Sequence, residues 1–116
     1  MIMGNIWSSE IDRIFGVGYS LENIGVRNWA LDREAALKAL EELSAKGIAV
    51  LGGDVYAISE QGIESNYDNW YCNRDAGESH PDFVARSISK AIRYIANYNA
   101  PAGRVLFAIV PSVETQ

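Results

Sequence analysis

The chain has 116 residues, 48% of them hydrophobic and 22% charged, which is the balance of one soluble globular domain over 1–116. That balance argues against a disordered chain, a fibre or a bilayer-spanning protein, so no membrane partner is expected. Fifteen acids against ten bases give a net charge of -5, a poor basis for gripping phosphate backbones, so no nucleic-acid partner is expected either.

The charge is unevenly spread. Residues 1–53 hold seven acids and five bases, whereas residues 54–82 hold seven acids and only Arg74. Residues 83–116 reverse the sign, with four bases against Glu114. The middle of the chain is therefore an acidic block followed by a basic segment. The single cysteine, Cys72, excludes an internal disulfide and any multi-cysteine zinc site. With no secretory signal pattern, it predicts a reducing cytoplasm.

In chain order, Ser9 is read as the cap of a short helix through Phe15, with Asp12 at the capping-box position and Gly16 as the stop. Residues 16–30 are glycine-punctuated and irregular. A second helix starts at the Asp32 cap, with Leu31 and Ala36 as a hydrophobic staple, and stops at Gly47. Its apolar stripe is Ala36, Leu37, Leu40 and Leu43, and Arg33, Glu34, Glu41 and Glu42 are expected to face water. Ile48–Leu51 and Val55–Ser59 read as strands joined by a tight turn at Gly52-Gly53-Asp54.

After a turn at Gln61-Gly62, residues 63–74 read as extended. Strict alternation puts Tyr67, Asn69 and Tyr71 on one face and Asp68, Trp70 and Cys72 on the other. Ser79-His80-Pro81-Asp82 is a helix start, and the helix runs to about Tyr98 with Val84, Ile88, Ala91, Ile92 and Ile95 inward. Pro101-Ala102-Gly103 turns into a last strand, Val105–Val110, apolar enough for a central position. The expected architecture is α+β: a mainly antiparallel four-stranded sheet with two to three helices on one face and its other face open.

Chemistry is sparsely encoded. Cys72 and His80 are the one pair that could supply a nucleophile and a base, the basis of an alternative reading as a small cysteine-dependent hydrolase or transferase. Buried strand cysteine and helix-start histidine is the plainer account. No HExxH, paired-cysteine or calcium-loop spacing occurs, and Gly16-Val17-Gly18 and Gly52-Gly53 do not complete a phosphate cradle. No cofactor and no metal are expected. A third reading, from the open sheet face or edge, is a structural or self-associating domain.

The distinctive stretch is Tyr67-Asp68-Asn69-Trp70-Tyr71, aromatic residues inside the acidic block. Trp70 reads equally well as a core residue or as an interface anchor, since Tyr and Trp dominate interface hot spots. Trp29 invites the same two readings, with the core favoured. Nearby carboxylates would speed capture of a basic partner. The candidate partner-binding residues are Asp54, Tyr67, Asp68, Asn69, Trp70, Asp75 and Glu78.

Gly25-Val26-Arg27-Asn28-Trp29-Ala30-Leu31, Ile48-Ala49-Val50-Leu51-Gly52-Gly53-Asp54-Val55-Tyr56 and Tyr67-Asp68-Asn69-Trp70-Tyr71-Cys72, in that order, resemble the immunity protein 40 family. The C-terminal helix and Phe107-Ala108-Ile109-Val110-Pro111 are similar too, so the likeness spans about 22–111. The resemblance implies a non-enzymatic bacterial protein, encoded beside a polymorphic or contact-dependent toxin, that protects its cell by binding that toxin. Together with the acidic block, it suggests a basic, nuclease-like toxin, met by a monomer or weak homodimer.

Overall fold

The structure, a computed structural model, describes residues 4–100 and 104–113. Helix α1 spans Ser9–Phe15, and strands β1 (Tyr19–Ser20) and β2 (Trp29–Ala30) follow around a single 3₁₀ turn at Glu22–Ile24. Helix α2 spans Arg33–Ala45, β3 Val50–Ser59, β4 Gly62–Tyr71, α3 His80–Asn97 and β5 Arg104–Pro111. The larger sheet has order β4-β3-β5 and is antiparallel throughout; β1 and β2 form a small antiparallel pair of their own. The class is α+β as expected.

The helix ends follow the local chemistry of the chain. The Asp32 carboxylate accepts from the Ala35 amide at 2.9 Å, and Ser79 Oγ accepts from the Asp82 amide at 3.2 Å. At the far end of α2, Gly47 sits at φ 70. Its amide donates to Ser44 O and the Ile48 amide to Leu43 O, the paired bonds of a Schellman ending that a glycine makes cheap. The cap of α1 is Ser8 rather than Ser9: its hydroxyl accepts from the Ile11 amide at 3.1 Å. Asp12 reaches back to accept from the Ile6 and Trp7 amides at 2.8 and 3.1 Å.

The four-stranded sheet needs correction. Gly52-Gly53-Asp54 is not a turn but the middle of one continuous strand, so two expected strands merge into β3. The glycines are there because neighbouring strands come close. A Cβ on Gly53 would fall 2.2 Å from the Trp70 ring and 2.5 Å from the Ala108 carbonyl oxygen, and one on Gly52 only 2.3 Å from the Trp70 carbonyl oxygen. Trp70 lies over this gap, 6% exposed, and stacks on Tyr94 of α3 with ring centroids 4.8 Å apart.

The central strand is β3, not β5. The outer edge of β5 is met by Leu31, which exchanges two backbone bonds with Phe107 at 2.8 and 2.7 Å. Both faces of β5 are nevertheless buried, which explains its apolar run. Phe107 and Ile109 join the main core under α2 and α3, while Leu106 and Ala108 form a second cluster with Leu21, Ala30 and Tyr56. The second face is thus closed at this end by residues 21–30 and open only toward β4. Asn28, buried there, donates to Ile109 O at 3.0 Å and accepts from the Trp29 amide at 2.6 Å. Trp29 packs half-buried against the core, beside Trp7. The expected turn at 101–103 lies outside the described residues.

Two helix residues depart from expectation. Ile92 is 37% exposed, because Phe83 and Ser87 join the stripe and turn α3 so that Ile92 falls on its flank. Ser87 is fully buried, and its hydroxyl accepts from the Val50 amide at 2.9 Å where β3 begins. Arg33 does not simply face water. Its guanidinium donates to the Ile95, Ala96 and Tyr98 carbonyls at 2.7, 3.1 and 3.0 Å, satisfying the open C-terminus of α3.

Replacing Gly53 with alanine therefore forces the Trp70 ring or the β5 backbone to move. Gly53→Ala is expected to destabilise the fold by about 1–3 kcal/mol, read as a lower urea midpoint at unchanged slope. A turn at this position would tolerate the change.

Candidate partner-binding face

Strand β4 is regular at both ends and irregular in the middle. Asn69 pairs with Asp54, and Ser65 pairs with Tyr56, so residues 66–68 stand opposite Val55 alone. Two extra residues are accommodated. An even number preserves the alternation of side chains on either side of the bulge, where a single extra residue would have reversed it. Outside the bulge the expected split holds, with Trp70 and Cys72 buried and Asn69 and Tyr71 exposed; Tyr67 and Asp68, expected on opposite faces, lie within the bulge and are both exposed.

At the tip of the bulge, Tyr67 adopts φ 71, the one non-glycine residue with positive φ among those described. This conformation costs an L-residue roughly 1 kcal/mol or more. The bulge offsets it with its own bonds. The Tyr67 amide donates to Ser65 Oγ at 3.0 Å, the Asp68 amide to Asn66 Oδ1 at 3.0 Å, and Asn69 Nδ2 to the Tyr67 carbonyl at 3.2 Å. On the helix side, the Tyr98 hydroxyl accepts from Asn66 Nδ2 at 2.9 Å and donates to Asp68 Oδ2 at 2.5 Å. That bond to a carboxylate pushes the Tyr98 phenol above its usual pKa. Tyr67 is 86% exposed and Tyr71 66% exposed.

Asp54 shares a sheet face with its register partner Asn69, and among the described residues it has no ion pair. Partial burial against the sheet raises its carboxyl pKa. At the β4 edge, Lys90 of α3 places its ammonium 5.2 Å from the centre of the Tyr71 ring. The acidic face thus ends at the basic helix.

The seven candidate residues do not form one cluster. Asp54 and Asn69 turn away from the helices, Tyr67 stands exposed at the tip of the bulge, Asp68 bonds Tyr98, and Trp70 lies in the core. Asp75 and Glu78 belong to the loop before α3. There Arg86 grips Glu78 through Nε at 2.8 Å and Nη2 at 2.7 Å, with Asp75 at 3.6 Å. Arg86 also donates to the Asn73 carbonyl at 2.7 Å. These bonds hold the Glu78 carboxyl at about 2, first through Arg86 and then through the Asp75 amide. The acidic block is therefore partly neutralised by the basic segment that follows it. Sequence reasoning missed both Tyr98 and Arg86 as organisers, because Tyr98 acts on residues thirty or more positions away and Arg86 reaches back eight to fourteen residues across a loop.

Cys72 and His80 have separate neighbours. Cys72 is buried, with its Sγ 3.2 Å from Arg86 Nη1, whereas His80 Nε2 donates to the Gly47 carbonyl at 2.8 Å. Histidine thus serves the end of α2, at the start of α3. Among the described residues no group of three or more His, Cys, Asp or Glu could hold a metal ion, and no helix is long and apolar enough to cross a membrane.

Fold and surface together define a small α+β domain that displays an aromatic and acidic half of one sheet face. The chain belongs to the immunity protein 40 family, whose profile matches residues 20–111. That match contains β2, both long helices and the whole bulged sheet. No curated protein and no solved structure matches the chain.

The Glu78–Arg86 contact makes a signed pH prediction. Glu78 ionises more readily folded than unfolded, so its stabilisation is present above its ordinary value of 4.5 and is lost as pH falls toward about 2. Glu78→Gln should be less stable than wild type at neutral pH, and the gap in urea midpoint should close across that acid window. A constant gap would show that Glu78 acts by packing and not by charge.

Proposed function

We propose that this protein protects a bacterial cell by binding a cognate toxin and blocking it one to one, without chemistry of its own. Family membership supports the immunity role. The observation that carries the binding reading is Tyr67, a large aromatic ring displayed to solvent at the tip of a bulge in the strand that pairs with Asp54, whose carboxylate has no ion pair among the described residues. Aromatic rings in such positions supply desolvated anchors, and carboxylates around them steer a basic partner into place.

The net charge of -5 and its concentration in residues 54–82 favour a basic toxin, of the kind that must itself meet nucleic acid. The place of action is the cytoplasm and the working form is a monomer. Asp54, Tyr67 and Asn69 form the contact, with Asp68 and Trp70 supporting them from the helix side. Asp75 and Glu78, bound to Arg86, add long-range attraction rather than direct contact.

Titrating the purified protein against the toxin domain encoded beside it should abolish toxin activity at one equivalent, and Cys72→Ala should protect cells as well as wild type. Toxin activity that survives a several-fold excess rejects the proposal. Loss of protection by a folded Cys72→Ala variant favours the cysteine-dependent alternative. Asp54→Lys should lower the association rate by about tenfold at low salt and flatten its salt dependence.

A further inference from the structure

The bulge in β4 is built around a residue that performs no packing role. Tyr67 occupies an unfavourable backbone conformation, and its ring is almost wholly in solvent. Its amide and carbonyl, and the side chains of Asn66 and Asp68 on either side, are all engaged within the bulge or by Tyr98. What remains for a partner is the phenol ring itself. A strained, exposed aromatic held from behind is the arrangement that binding favours, because the ordering entropy has been lost before the partner arrives.

The clamp is anchored deeply. Tyr98 packs edge-on against Phe107, with centroids 5.7 Å apart, and beside Tyr94 at 5.8 Å. Its carbonyl accepts from Arg33 at 3.0 Å. The hydroxyl that spans Asn66 and Asp68 is therefore fixed by the core rather than by the loop it holds.

We infer, resting on the immunity reading above, that Tyr67 is a preformed anchor for a protein surface that offers an apolar slot rimmed by lysine or arginine, and that the Tyr98 hydroxyl is its positioning group. Charge complementarity sets the rim. Asp54, whose register partner Asn69 adjoins the bulge, has no ion pair among the described residues, and Asp68 flanks the anchor in the chain, while Lys90 sits beside Tyr71 at the end of the strand. A nucleic acid, with its phosphates, would be repelled by this arrangement. The occupant is the cognate toxin.

Two measurements separate the clamp from the partner. In the free protein, Tyr98→Phe keeps the ring and deletes the hydroxyl. Amides 66–69 should then exchange with deuterium at least several-fold faster, while the urea midpoint of the whole domain changes little. Unchanged exchange at 66–69 overturns the positioning role.

Against the toxin domain encoded beside the protein, Tyr67→Ala should weaken binding about thirtyfold or more, mainly through faster dissociation. Tyr98→Phe should weaken wild-type binding severalfold yet add almost nothing in the Tyr67→Ala background. If wild type neutralises the toxin and Tyr67→Ala binds it equally well, the anchor is wrong and the immunity reading stands. If wild type does not bind this toxin, both fall. A wild-type dimer in sedimentation that Tyr67→Ala dissolves would give the face to a second copy and overturn the toxin as occupant.

Discussion

The packing of Trp70 over the side-chain-free backbone of Gly53 is the constraint on which the rest of this fold depends. The indole can lie against β3 at this point only because Gly53 has no Cβ, and there it stacks on Tyr94 of α3. One contact thereby joins the edge strand, the central strand and the long helix. Removing the space, by adding a methyl group, disturbs all three at once. From Tyr94 the line of rings continues to Tyr98 and Phe107, which ties α3 to β5 as well.

Polar groups complete what the rings begin, and they do so at the ends of elements. Arg33, from the first turn of α2, closes the carbonyl end of α3. Arg86 closes the loop between β4 and α3 by holding Glu78 and Asn73, with Cys72 beneath it. His80 joins the start of α3 to the end of α2 through Gly47. Each bond satisfies a group that the helices or loops leave open, so these residues have structural work that a reading of charge alone assigns to solvent or to catalysis.

This division of labour explains where the candidate face ended up. The core takes Trp70, the Tyr98 hydroxyl takes Asp68, and the loop takes Asp75 and Glu78. Left facing outward are Asp54, Tyr67 and Asn69, with Tyr71 at the edge. The acidity of residues 54–82 is thus not one continuous patch. A small part of it belongs to the displayed face, and another part is a salt-bridged loop that α3 partly neutralises.

Local chemistry was legible in the chain itself. Asp32, Ser79 and Gly47 mark helix ends because capping depends on neighbours within a few residues. The alternation of Asn69 and Tyr71 against Trp70 and Cys72 is likewise a property of extended backbone, and it survived the bulge because the insertion is even-numbered. The family was legible too, since its motifs run along the sequence.

Gly52-Gly53 could not be read correctly from its neighbours, because the reason for those glycines is Trp70, whose ring crowds Gly53 and whose carbonyl crowds Gly52 from a neighbouring strand. The same distance hid Arg33 at the end of α3, Tyr98 behind the bulge and the cover that residues 21–30 place over β5. By itself the sequence determined where helices begin and end, which strand residues share a side, and that the middle of the chain is acidic. Only the tertiary structure decided which glycines are turns and which acids face outward, because both depend on atoms that the fold, and not the chain order, brings within reach.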